Sequence, residues 1–461
     1  MNKIFIFFFI FIFLHNCSLH SKSKFWTKEK NIKKEIKDPK KKNLFLQENA
    51  LQKELNPSLK IKLTTTKLNY DKKNQNNNNF NNYLGNLEKI SKFNFSKIEY
   101  FDQYEPSIIF EKENIIFFDN RGAIIKFDKN SDLIWKKNYY SKEEKKINPF
   151  LFFSRHNDIL IVVDTISKYY AVDINSGELL WSFYNNASFI SDVKIEKDKI
   201  IVVDSNNILK CFSLKDGSLI WEYRSDTSTI KSTKKISIAI DNNKVLFNNS
   251  IGDINAVDID SGNLIWITPT AKRLNLMQPY LLKISDLVIH NQSVLFSNNN
   301  NEFFSVDINT GFINWIQKIN TYIRPAVVND LIFTVTLEGY LVVIDKPTGN
   351  IIRITDVFGE RAKKSNSLNL FTSKKMNPLY ILDNVEKKDA GVIKPEFEPV
   401  GFSIGQEDIF LSTNHGKLLI IDILTGKTKS ILKIDNEKIS RPFFSNENLY
   451  LIKNNSIIKL N

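Results

Sequence analysis

The chain has 461 residues, 42% of them apolar, two cysteines and a formal net charge of +13. Two cysteines exclude a disulfide-built scaffold, and the eleven-residue apolar run 4–14 is too short to cross a bilayer as a helix. The charge is local, with 16 Lys and 6 acidic residues between positions 22 and 73, so the body of the chain is close to neutral, and no nucleic-acid recognition module is visible in it.

The chain starts MNKIFIFFFIFIFLHNC, one Lys followed by the apolar run and a cysteine, which reads as a signal peptide over residues 1–17. Leu14 stands three residues before Cys17, a spacing that resembles a lipobox, with His15 and Asn16 where small residues are usual. Cys17 is therefore the expected acylation site and membrane anchor. Residues 18–92 are rich in Lys and Asn and poor in large apolar groups, the composition of a flexible tether. Within it, 41–56 places Leu44, Leu51 and Leu55 roughly on one face of a short amphipathic helix. The Asn-rich run 74–82 reads as a flexible joint.

From about residue 97 onward one pattern recurs. AVDINSGELLW ends at Trp181, CFSLKDGSLIW at Trp221, AVDIDSGNLIW at Trp266 and SVDINTGFINW at Trp315. A shorter copy without the glycine ends at Trp135, and two copies keep the turn but end at Arg353 and Ser430. Five of the six tryptophans thus share one repeat position. Gly177, Gly217, Gly262, Gly311 and Gly349 lie 40, 45, 49 and 38 residues apart, the period of a four-stranded propeller blade. Gly426 follows after a longer gap.

Each glycine is expected to supply a positive φ in its turn. The aspartates four residues earlier (Asp173, Asp258, Asp307, Asp345 and Asp422) are expected to accept backbone N–H groups. Leu179, Trp181 and Phe183 alternate, which predicts one shared face. One tryptophan per blade suits a wedge between neighbouring sheets.

Apolar runs that open a blade's second strand start near residues 114, 158, 198, 243, 292, 330, 408 and 448, which makes eight blades. The fold class is all-β, an eight-bladed β-propeller over 93–461. The chain stops before the last blade has an outermost strand. The missing strand is expected from the N-terminal side, at 93–101, because closure removes a free sheet edge. The surplus between Gly349 and Gly426 is read as an insertion at about 359–395. Cys211 sits in an apolar strand as a small core residue.

The motif A-x-D-x-x-[ST]-G-x-x-x-W resembles the PQQ-like repeat shared by quinoprotein dehydrogenases and by BamB-type lipoproteins of the outer-membrane β-barrel assembly machinery. The resemblance covers about 97–461. The dehydrogenases hold a quinone and calcium with dedicated acidic and amide side chains, many with a disulfide of adjacent cysteines. This chain has no adjacent cysteines, and no HExxH, CxxC or phosphate-loop pattern. Neither cofactor, metal, small-molecule substrate nor catalytic residue is therefore expected.

The BamB resemblance implies a lipid-anchored scaffold on the periplasmic face of the outer membrane. Its partners would be the POTRA domains of the barrel subunit and other members of the complex. Arg273, Ser285 and Asp286, in the enlarged connection between the fourth and fifth copies, are the expected partner contacts, with the insertion around 361–388 second. A PQQ-dependent enzyme and a periplasmic ligand-binding propeller are the alternatives, the latter requiring convergent polar groups at the ring centre.

Overall fold

The computed structural model describes residues 53–63, 77–81, 83–101, 103–227, 234–270, 282–359 and 397–461. Eight four-stranded antiparallel sheets form a ring of blades. Blade 1 comprises Ile109–Glu111, Asn114–Phe118, Ile124–Phe127 and Leu133–Lys137, and blade 2 comprises Leu151–His156, Ile159–Asp164, Lys168–Asp173 and Leu179–Tyr184. Blades 3, 4 and 5 start at Lys194–Glu196, Ile238–Asp241 and Val288–His290, and blades 6, 7 and 8 at Ala326–Val328, Pro399–Ile404 and Phe443–Ser445. First strands of successive blades approach one another and line the middle of the ring.

Burial follows from this layering. Second and third strands lie between neighbouring sheets and are covered on both faces, so they are continuously apolar: ILIVVD and KYYAVD in blade 2 are almost wholly buried. Fourth strands form the outer rim and are largely exposed, as in Leu179–Tyr184. The expected face shared by Leu179, Trp181 and Phe183 is broken there. Ala171 pairs with Trp181 but Val172 pairs with Leu179, so a bulge at Leu180 turns Leu179 to the opposite face. A single capped helical turn, α1 (Lys142–Lys146), joins blades 1 and 2. Ser141 and Glu144 form its reciprocal capping box.

Blade 8 is completed by Lys89–Asn94, which pairs antiparallel with Ser456–Leu460, Phe93 opposite Ile457. The closing strand does come from the N-terminal side, but it begins at residue 89 rather than 93. Two parts of the expected tether depart from the sequence reading. Leu55, placed in the helix over 41–56, instead makes an antiparallel bridge with Ile354 on the outer strand of blade 6. Leu55 N donates to Ile354 O at 3.1 Å and Ile354 N to Leu55 O at 2.8 Å. An open sheet edge offers these bonds to an extended segment, whereas a helix has already used its own donors and acceptors. Residues 77–81 of the supposed joint are packed into the ring, with Asn77, Asn79 and Phe80 buried. The insertion at 359–395 falls, apart from Gly359, outside the described residues.

Candidate functional site

The repeat residues build the joints between blades. Gly177, Gly217, Gly262, Gly311, Gly349 and Gly426 all have φ between +70° and +74°. The ring of the preceding blade's tryptophan lies against each of the first five. A Cβ on Gly262 would stand 2.7 Å from Trp221, and one on Gly311 2.7 Å from Trp266. The same indoles donate across the joint to the carbonyl just after the turn's first residue. Trp135 reaches Ile174 at 3.0 Å, Trp181 reaches Leu214 at 3.3 Å, Trp221 reaches Ile259 at 3.1 Å, Trp266 reaches Ile308 at 3.1 Å and Trp315 reaches Lys346 at 2.9 Å.

The turn aspartates act as expected. Asp173 Oδ1 accepts from Asn175 N, Ser176 N and Ser176 Oγ. These bonds favour the ionised form, led by the backbone N–H of Ser176, and hold the carboxyl below its ordinary range. Asp258 shows the same shift, led by Ser261.

Inside the ring, paired charges lie just ahead of the innermost strands of blades 1, 3, 4, 5, 6 and 8. Arg324 donates through Nε to Asp286 Oδ2 at 2.6 Å, Lys235 pairs with Asp192 at 2.7 Å, and Arg441 pairs through Nε with Glu105 at 2.7 Å. Each pair links neighbouring blades, the last across the closure from blade 8 to blade 1, so together they form a charged collar. Although burial opposes ionisation, Arg324, Lys235 and Lys234 hold the Asp286 carboxyl well below the usual carboxylate range. Burial pushes Lys194 and Lys234 down to about 8.

Ser285 is buried and takes the Ser297 N–H at 2.9 Å. Ser191 takes Val203 N and Ser440 takes Ile452 N in the same way. Ser285 is thus a repeated brace between first and second strands, and Asp286 a collar residue; neither lies on the surface. Arg273 and Cys17 lie outside the described residues. Among the described residues, no three His, Cys, Asp or Glu side chains gather in a way that would hold a metal.

The collar frames a strap formed by residues 77–81. Asn77 Nδ2 donates to Ile238 O at 3.0 Å and Leu287 O at 2.9 Å, and its Oδ1 accepts from Lys194 Nζ at 2.7 Å. Asn78 pairs both ways with Val327, at 2.8 and 2.9 Å. Asn79 donates to Phe402 O at 3.0 Å and accepts from Arg441 Nη1 at 2.8 Å. Those partners belong to or adjoin the first strands of blades 3 to 8. The repeat motif carries no trace of the collar, because the collar lies ahead of the first strands, outside the motif, and its charge changes sign from blade to blade.

On the rim, the fourth strands of blades 1 to 4 each expose an apolar pair, Leu133 and Ile134, Leu179 and Leu180, Leu219 and Ile220, and Leu264 and Ile265, and blade 5 exposes Ile313 together with Phe312 just ahead of its strand. At blade 6, where Leu55 lies along the edge, Ile351 and Ile352 are only partly exposed.

Comparison with known proteins agrees with this architecture. The sequence profile of the family described as Outer membrane protein assembly factor BamB matches residues 107–355. A search of curated protein sequences finds no match. Among solved structures, BamB from Moraxella catarrhalis superposes with a TM-score of 0.60 at 14% identity, over 81% of this chain and 99% of that one. A europium-containing methanol dehydrogenase gives 0.62 at 11%, over 83% and 88%. The computationally designed Ika8 protein gives 0.57 at 11%, over 80% and 99%. At such identities these structures speak for the propeller fold alone. Because the family profile spans more than half of its length, the chain belongs to the family of outer membrane protein assembly factor BamB.

Proposed function

We propose that this chain is a non-catalytic scaffold subunit of the outer-membrane β-barrel assembly machinery. In this reading acylated Cys17 anchors it to the periplasmic face of the outer membrane, and the ring binds the POTRA domains of the barrel subunit. The observation that carries the proposal is the family membership over residues 107–355. The rim supports it: five exposed apolar pairs repeated around a rigid ring make a surface suited to protein contact. The enlarged connection holding Arg273 is the proposed meeting place. Asp286, tied to Arg324, and Ser285, tied to Ser297, set the inner end of that connection.

The test is affinity purification of the full-length protein from its own membranes. The POTRA-bearing barrel subunit is expected to co-purify, and Cys17→Ser is expected to release the protein from the membrane fraction. Absence of barrel-assembly subunits from the co-purifying set would overturn the proposal.

A further inference from the structure

The strap is the feature that neither the repeat nor the assembly role accounts for. Residues 77–81 are five in number, yet their side chains and backbone bond to groups in or beside the first strands of six consecutive blades. An extended pentapeptide spans at most about 17 Å, so such contacts are possible only where the blades converge. Here the strap meets backbone groups that blade pairing leaves open, because each innermost strand turns one edge toward the middle.

The chemistry of this contact is selective. Asn77, Asn78 and Asn79 each donate and accept through the same carboxamide. A carboxylate supplies only acceptors, an ammonium only donors and a hydroxyl a single donor, so the two donations and one acceptance at position 77 call for a carboxamide, and positions 78 and 79 exclude charged side chains. Backbone bonds then fix the register: Ile404 N donates to Asn79 O at 2.9 Å and Asn81 N to Ile404 O at 2.8 Å. Phe80 forms a parallel bridge with Ile404 and is buried in the cluster that includes Phe402 and Ile404. The recognised pattern is three successive carboxamides followed by one large apolar residue, in extended conformation.

We infer that the centre of the ring is a peptide-binding site for an extended segment of this pattern, occupied in cis by residues 77–81. The segment is joined to the ring on both sides, with Leu55 on blade 6 and Lys89–Asn94 in blade 8. Tethering of this kind gives an effective concentration on the order of millimolar, so the cis segment excludes a competitor of ordinary affinity. A segment of another chain enters when the cis one is displaced. This inference rests on the ring alone and does not depend on the assembly role.

The test uses the full chain and a fluorescent peptide of sequence QNNNNFNNYLG, the residues at 75–85. In a variant with Asn77→Ala, Asn78→Ala, Asn79→Ala and Phe80→Ala, anisotropy is expected to show peptide binding at least tenfold tighter than to the unsubstituted protein. A peptide with Asp at the positions equivalent to 77, 78 and 79 is expected to bind at least tenfold more weakly. Equal binding to both proteins, equal binding of both peptides, or no binding to the folded variant overturns the inference. Should the fourfold variant not fold, the single change Asn78→Ala is read instead, with peptide binding expected to rise severalfold. An unchanged value in a folded Asn78→Ala protein overturns the inference equally.

Discussion

Arg353 Nη2 donates to the Ile423 carbonyl at 3.0 Å, the place taken by Trp315 against Lys346 one joint earlier. The guanidinium is fully buried, and its other arm reaches the carbonyls of Leu424 at 2.6 Å and Leu59 at 3.0 Å. Arg353 therefore both staples blade 6 to blade 7 and ties down the segment 53–63. Arg353→Ala is expected to cost about 3 kcal/mol, since charged hydrogen bonds are lost and carbonyls are left unpaired. Arg353→Trp is expected to cost less, because it restores the joint while releasing Leu59. Urea midpoints, with proteolysis near residue 59 as the local readout, check the order; Ala and Trp variants of equal stability would refute it.

The turn glycines separate backbone strain from crowding. Gly359 has φ +62° and nothing within 4 Å of an added Cβ, whereas Gly262 has φ +74° and Trp221 at 2.7 Å. Gly359→Ala should cost about 1 kcal/mol from the left-handed backbone alone. Gly262→Ala should cost about 3 kcal/mol, because overpacking adds to the strain. Thermal unfolding of the two variants side by side measures the difference.

These joints were legible in the sequence because one geometry demands one residue type: a positive φ calls for Gly, and a flat apolar donor for Trp. Where the demand is looser, the pattern fades. Arg353 reads as a lost tryptophan, yet an arginine of similar reach makes the same bond. The collar needs only charges of opposite sign on neighbouring blades, which Asp286 and Arg324, Asp192 and Lys235, and Glu105 and Arg441 meet with three different pairings. The strap reads as a joint for a related reason. Low-complexity composition describes an isolated chain and carries no information about carbonyls waiting hundreds of residues away.

The collar pairs should behave as buried ion pairs. Asp286→Ala leaves the Arg324 guanidinium without its carboxylate and should cost about 3–5 kcal/mol. Replacing both residues by leucine should recover most of that loss, because an apolar pair carries no desolvation penalty. The depressed Asp286 carboxyl sets the pH sign. Its contribution is present above the ordinary aspartate pKa of about 3.9 and is lost as pH falls below that value. The double-mutant cycle fails if the two single losses simply add.

Alkaline stability is governed by buried tyrosines. Burial pushes Tyr83 and Tyr450 up to about 12. The unfolded chain releases these protons near the ordinary tyrosine value of about 10, so the folded state holds more protons between the two values. Stability is therefore intact below the lower value and falls above it by about 1.4 kcal/mol per pH unit for each such tyrosine. Tyrosinate absorbance should rise together with loss of β-structure; ionisation of these tyrosines ahead of unfolding would contradict the burial.

Cys211 is buried and uncharged, its thiol pushed up to about 12 by burial. A disulfide reagent at mildly alkaline pH should leave it unlabelled in the folded ring and label it in urea. Labelling rates below the midpoint then report opening of blade 3.

Lys89–Asn94 and its partner Ser456–Leu460 stand at opposite ends of the order of the described strands, so blade 8 joins the earliest of them to the last made. The two ends of the propeller are thus zipped within a single sheet, and Lys89–Asn94 cannot close the ring until Ser456–Leu460 has been made. A product that lost Ser456–Leu460 in translation or to a protease would expose an unpaired edge and lose the restraint on its own strap.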